Sequence, residues 1–198
     1  MSLSTTPPPD RDSSAHSRAE RIVTQVAIAQ VLALDGKTHR LRDLWGSTIT
    51  VTTFVRHFGC LFCHQMVSDL VTYIPRIIER DARVVIIGNG TLEQARHFFS
   101  EKKLPRAGVD VVTDPRRESF AAAGLERGVA RTFLNAGSVT AYGAAKAQGH
   151  RVTGLFGDLT QLGGLFVVKP PASLVYAHRS RFAGDHPDME KVMQHLPG

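Results

Sequence analysis

From Thr48 to Val55 the chain carries no charge. Seven of its eight residues are Thr, Val or Ile, and the eighth is Phe54. Stiff β-branched side chains suit a pleated, buried strand better than a helix. Gly59 ends the run. Beyond Cys60-Leu61-Phe62-Cys63 the period changes: Val67, Leu70, Val71, Ile74 and Ile78 recur at spacings of three and four, which predicts a helix. Pro75 lies well inside it, where the ring removes a hydrogen bond and crowds the Val71 carbonyl, so a kink is expected. Arg83 to Gly88 is a short apolar run of the kind a buried parallel strand requires. Next come a helix from Thr91, its N-cap, to Lys103, a strand from Val109 to Thr113, and a helix from Asp114-Pro115 to Ala123 with Gly124 as C-cap. The alternation βαβαβα predicts an α/β domain.

The flanks are less regular. Residues 1–20 are rich in Ser, Thr and Pro, and they read as a disordered tail ahead of one domain spanning 21–198. Val26 to Leu34 reads as a strand, with a helix as the alternative. Asp35-Gly36 reads as a turn and Leu41 to Trp45 as a helical turn. Gly128 to Thr153 is rich in Ala and Gly with little periodicity, and it is expected to shape the substrate pocket. Thr160 to Gly164 reads as a loop. Leu165–Lys169 and Leu174–His178 form a predicted hairpin, and Asp188 to Leu196 a terminal helix.

Composition narrows the function. With 198 residues there is chain enough for a single proper core. The 24 Lys and Arg exceed the 18 Asp and Glu by six, but they are spread along the chain. That argues against nucleic acid, which selects a concentrated basic stripe. No apolar run approaches the roughly 20 residues of a membrane span, and no apolar signal-peptide core stands at the N-terminus, so a cytoplasmic protein without a membrane role is expected. Two cysteines set three apart exclude a structural disulfide framework.

Those cysteines sit where a strand hands over to a helix. Unpaired N–H groups and the positive end of the macrodipole favour an anion there, so an acidic thiol is expected. Spacing of three puts the second sulfur beside the first, ready to resolve a mixed disulfide. Cys60 and Cys63 are therefore the candidate catalytic pair. Arg56, His57, Gly59 and His64 are candidate supporting residues. Strand alternation implies that only one of Arg56 and His57 faces the sulfur, and His64 is read as solvated. Phe58 and Phe62 are candidate apolar walls of a substrate site. Asp185-His186 is read as a turn leading into a helix rather than as a carboxylate–imidazole pair. Three other uses of the motif compete. A buried structural pair is one. A zinc site would need two of the nine histidines. Cys60-Leu61-Phe62-Cys63-His64 also satisfies the haem-attachment pattern, which normally requires export. No metal is expected.

A βαβ unit with Cys-x-x-Cys at the strand–helix junction, followed by a hairpin and a last helix, is similar to the thioredoxin fold. The stretches FVRHFGCLFC, VVTDPRRESFAAAGL and GGLFVVKPPASLVYAHRSRFAGDHP resemble the peroxiredoxin-like 2 family, a branch of the alkyl hydroperoxide reductase and thiol-specific antioxidant proteins. The resemblance implies a three-layer sandwich, a central mixed β-sheet with helices on both faces. It implies an oxidoreductase that reduces a peroxide or a related oxidised substrate through a Cys60–Cys63 cycle. No bound cofactor is implied, and an external reductant such as thioredoxin or glutathione resets the pair; a homodimer is compatible with it. Peroxiredoxins place a Thr three residues before the attacking cysteine. That position holds His57 when counted from Cys60, and Cys60 itself when counted from Cys63, so the order of attack stays open. The place of the thioredoxin cis-proline is held by Gly163-Gly164, which the resemblance makes candidate substrate-binding residues. The alternative function is a redox sensor or a metal- or haem-binding module without turnover.

Overall fold

The computed structural model describes residues 11–102, 104–105, 107–128, 136–154 and 157–198. Seven strands form one sheet: β1 (Gln30–Ala33), β2 (Thr38–Arg40), β3 (Thr50–Phe54), β4 (Arg83–Gly88), β5 (Val109–Thr113), β6 (Gly164–Lys169) and β7 (Ser173–Arg179). Their spatial order is β2-β1-β5-β4-β3-β6-β7. Strands β3, β4 and β5 run parallel, with Thr53 opposite Ile86 and Ile86 opposite Val111, while the other pairings are antiparallel. Flanked by β4 and β6, all five residues of β3 are buried. That burial is why its sequence is uncharged on both faces.

Alternation along the strands divides the apolar side chains between two cores. Val51, Val84, Ile86, Val111, Leu165 and Val167 face one side. They meet α3 (Leu61–Glu79), Ala95 and Phe98 of α4 (Leu92–Lys102), and α7 (Met189–Met193). Phe54, Val85, Ile87, Val112, Phe166 and Val168 face the other, against α1 (Arg11–Ile28), α2 (Leu41–Trp45) and α5 (Glu118–Ala122). The result is a mixed sheet with helices on both faces. On the second side Phe54 makes edge-on contacts with Phe120 and Phe166 at centroid distances of 5.3 and 5.5 Å. Among the described residues no helix is long and apolar enough to cross a membrane.

The start of α4 follows the predicted chemistry, whereas α5 begins at Glu118 and not at the expected Asp114-Pro115. Thr91 and Gln94 form a reciprocal cap on α4: the Thr91 hydroxyl accepts from the Gln94 N–H at 3.3 Å and the Gln94 side chain accepts from the Thr91 N–H at 2.7 Å. Asp114 holds the approach to α5 by accepting from the Ser119 N–H and hydroxyl at 2.8 and 2.6 Å. Gly124 closes α5 with φ of +67°. Pro75 sits inside α3, which continues to Glu79.

Three expectations are corrected. The tail expected over residues 1–20 is helical from Arg11, because Val23, Val26 and Ala27, spaced by three and four, bury one face of α1; residues 1–10 lie outside the described set. The first strand starts at Gln30 instead of Val26, since α1 keeps Val26 to Ile28. A helix, α6 (Ala136–Ala147), occupies the Ala- and Gly-rich stretch.

Gly163, just before β6, marks a close approach of backbones. A Cβ there would stand 2.3 Å from the Phe54 carbonyl oxygen. Gly163→Ala is expected to destabilise the protein by about 1–3 kcal/mol, as overpacking against a fixed neighbour does. Urea denaturation followed by circular dichroism should show a lower midpoint with an unchanged slope.

Candidate active site

β3 ends at Phe54, and the chain bends at Arg56 and turns through Phe58-Gly59 before α3 begins. Cys60 is the N-cap of α3, with extended backbone at φ −79° and ψ 125°, and its carbonyl accepts the His64 N–H at 2.9 Å. Its sulfur therefore lies at the positive end of a 19-residue helix. Arg56 donates to Cys60 Sγ from Nη1 at 3.2 Å. The remainder of that guanidinium is fixed by main-chain carbonyls, Nε to Gln161 at 2.9 Å and Nη2 to Leu159 at 2.6 Å. Both cysteines are reduced and buried.

The two thiols are driven apart in acidity. Burial opposes ionisation of Cys60, but hydrogen bonds from the Cys63 thiol and His57, together with the charge of Arg56, outweigh it. Cys60 is thereby held well below the usual thiol range. Cys63 is pushed well above that range by burial, by donating its proton to Cys60 and by the negative charge of Cys60. The environment thus favours the thiolate at Cys60 and the protonated thiol at Cys63. On the question of order, these opposite shifts favour Cys60 over Cys63 as the attacking sulfur.

Access agrees with that assignment. A cavity of about 280 Å³ opens on Arg56, His57 and Cys60, with Leu61, Phe62, Val139, Tyr142, Val152 and Leu159 as apolar walls. Cys63 does not line it. It borders instead a space of about 10 Å³ on the other side, with Gly163, Ser180 and His186. That is room for about one water molecule. Burial lowers the pKa of His186, which favours the neutral imidazole.

The predicted supporting residues divide. Arg56 and His57 both bear on Cys60, because strand alternation stops at Phe54; one does not exclude the other. Gly59 forms the turn and its carbonyl accepts the Thr153 N–H at 3.1 Å. His64 is buried, not solvated, with Nε2 at 3.1 Å from the Thr153 hydroxyl. Phe62 is a wall of the cavity. Phe58 is not: it packs beneath Gly88 and against Phe98, at a centroid distance of 5.2 Å. Gly164 pairs with Phe54 in the sheet and borders neither space, so of the two glycines only Gly163 approaches the thiols. Asp185 turns away from His186, toward Arg181 Nε at 3.1 Å and His178 Nε2 at 3.5 Å, and Asp188 caps α7. Among the described residues no group of three or more His, Cys, Asp or Glu is placed to hold a metal ion.

Several site residues escaped the sequence reading. Asn89 donates to the Arg56 carbonyl and accepts the Asp158 N–H at 2.8 Å, so it ties the end of β4 to both loops. Its signal was the pair of glycines around it. The carbonyls of Leu159 and Gln161 had none, since a main-chain acceptor is independent of side-chain identity. The stretch expected to shape the pocket does so: Ser138, Val139 and Tyr142 of α6 and Val152 beyond it reach the cavity.

Alkylation of Cys60 by iodoacetamide should proceed at a constant rate down to pH values well below the ordinary thiol range, then fall as the thiolate is protonated. Arg56→Met should move that fall to higher pH, because the cation that stabilises the charged form is gone.

The chain is similar to several known proteins. The family model described as AhpC/TSA antioxidant enzyme matches residues 69–181, a span that begins after both cysteines. Peroxiredoxin-like 2C of Mus musculus is 29% identical over 198 residues, covering 94% of this chain and 85% of that protein. Prostamide/prostaglandin F synthase of Sus scrofa is 30% identical over 168 residues, covering 83% and 81%. The crystal structure of peroxidoxin BcpB from Mycobacterium tuberculosis superposes with a TM-score of 0.61 at 14% identity, covering 84% of this chain and 90% of that one. At that identity the likeness speaks for the fold, which is that of the peroxiredoxins.

Proposed function

The chain belongs to the AhpC/TSA antioxidant enzyme family, and on that premise we propose that it is a thiol peroxidase, reducing an organic hydroperoxide through a Cys60–Cys63 cycle. One observation carries the reading: the buried Cys60 sulfur, 3.2 Å from a buried guanidinium, lines an apolar cavity. A neutral thiol there would be a poor nucleophile and a poor partner for Arg56.

The steps balance. The Cys60 thiolate attacks the terminal oxygen of the hydroperoxide, the O–O bond breaks, and Cys60 becomes a sulfenic acid. The departing alkoxide takes a proton and leaves as an alcohol. Arg56 and His57 line the place where that negative charge develops. Cys63 then attacks the Cys60 sulfur, the S–O bond breaks, and hydroxide leaves with the Cys63 proton as water. An external reductant of the thioredoxin or glutathione type reduces the disulfide, and the protein itself supplies no bound cofactor. The apolar walls favour a peroxide with a hydrocarbon body over hydrogen peroxide, and the relatives named prostamide/prostaglandin F synthase accord with a substrate of that size.

The reduced protein should consume cumene hydroperoxide with thioredoxin as donor, and mass spectrometry should find an intramolecular Cys60–Cys63 disulfide. Cys60→Ser should fall to the uncatalysed background, and Cys63→Ser should complete a single turnover and stop. Sluggish reaction with peroxides beside rapid exchange with disulfides would replace the peroxidase by a thioredoxin-like reductase.

A further inference from the structure

The cavity at Cys60 does not end at its own walls. Leu61, Tyr142 and Val152 also line a second cavity of about 290 Å³, to which Lys146, Gly149, His150 and Arg151 contribute. Three shared side chains place the two side by side. Together they reach the ~300–1,000 Å³ typical of a small-molecule site. Tyr142 and Val152 are 46% and 53% exposed, so the junction presents apolar surface to whatever passes along it.

The two ends differ in charge. One holds the thiolate, and the other holds cations. Lys146 and Arg151 are exposed, and among the described residues neither has a carboxylate partner. Lys146 lies in the last turn of α6, where a cation also complements the helix dipole. That explanation does not extend to Arg151, which lies beyond the helix. The pKa of His150 is lowered by burial and then by the charge of Lys102, with Asp69 acting in the opposite sense. Among the described residues no acidic side chain lines the second cavity.

We propose that this second cavity is the subsite for the carboxylate head of a long-chain acyl hydroperoxide, whose chain lies along Leu61, Tyr142 and Val152 and whose oxidised carbon reaches Cys60. The proposal rests on the peroxidase reading and names its substrate class. Lys146 and Arg151 hold the carboxylate. Two solvent-exposed ion pairs together supply roughly a tenfold effect, and salt weakens it.

Two measurements test it on the full chain. Calorimetry on the reduced protein compares dodecanoate with its methyl ester, and steady-state kinetics compare linoleic acid hydroperoxide with its methyl ester. The acid should bind roughly tenfold more tightly and show a correspondingly lower KM. The Lys146→Ala/Arg151→Ala double variant should erase that preference, as should high salt. Equal handling of acid and ester by the unaltered protein overturns the subsite, as does a preference that survives in the double variant. Cumene hydroperoxide, which carries no carboxylate, separates the two readings. If it is reduced while acid and ester are handled alike, the subsite falls and the peroxidase stands. If dodecanoate is held through Lys146 and Arg151 but no peroxide is reduced, the peroxidase falls and the anion site stands.

Discussion

The contact on which the rest depends is the one between Arg56 and Cys60, two groups that burial alone would keep neutral or exclude. An uncompensated guanidinium inside a protein costs several kcal/mol, and an uncompensated thiolate is disfavoured for the same reason. Placed 3.2 Å apart, each supplies the charge that the other lacks. The helix N-terminus adds N–H groups and a favourable dipole to the sulfur, while the Leu159 and Gln161 carbonyls take up the other faces of the guanidinium. Removing either partner leaves the other as an unpaired buried charge, which is why the site is an assembly and not a set of separable residues.

Holding that pair falls to loops positioned by the sheet. The reactive turn leaves the C-terminal end of β3, beside the C-terminal end of the parallel strand β4, the edge at which open α/β sheets characteristically place their ligands. Asn89 joins the two ends and clasps the 158 loop. Asp158 then holds that loop: its carboxylate accepts from Thr160 at 2.9 Å and pairs with Arg117 at 3.4 Å and with Arg127. Gly157 is needed at this crossing, since its φ is +70° and a Cβ would run into the Asn89 side chain. The anchors of the guanidinium are thus set by a polar network that reaches as far as the N-terminal side of α5.

The elements legible in the sequence were those whose burial is complete or strictly periodic. β3, β4 and β5 declare themselves by runs dominated by β-branched residues, and α3 by its period; the thiol pair was visible as a junction between those two signals. α1 was obscured by its composition, because its first half is polar and only Val23, Val26 and Ala27 show the apolar face. α6 has small side chains on every side, so its sequence has little amphipathic contrast to read. His64 was read from its place in the first turn as solvated. Buried, it meets Phe98 and the Thr153 hydroxyl, the latter from a segment nearly ninety positions later, which no local pattern contains. The same holds for the anchors of Arg56, more than one hundred positions away in the chain.

The placement of Cys63 bears on the fate of Cys60 once that sulfur is oxidised. A sulfenic acid that waits in the presence of peroxide is carried on to the sulfinic and sulfonic states, from which a simple dithiol does not recover it. Cys63 stands one helical turn from Cys60, beside that sulfur, so closing the pair does not demand the refolding of a helix that a distant partner would. In the proposed cycle the vulnerable oxidation state is closed into a disulfide by a side chain already beside it. Such an arrangement suits a scavenger meant to keep working at high peroxide, and it is poorly suited to a signalling device whose purpose is to be inactivated by a surge.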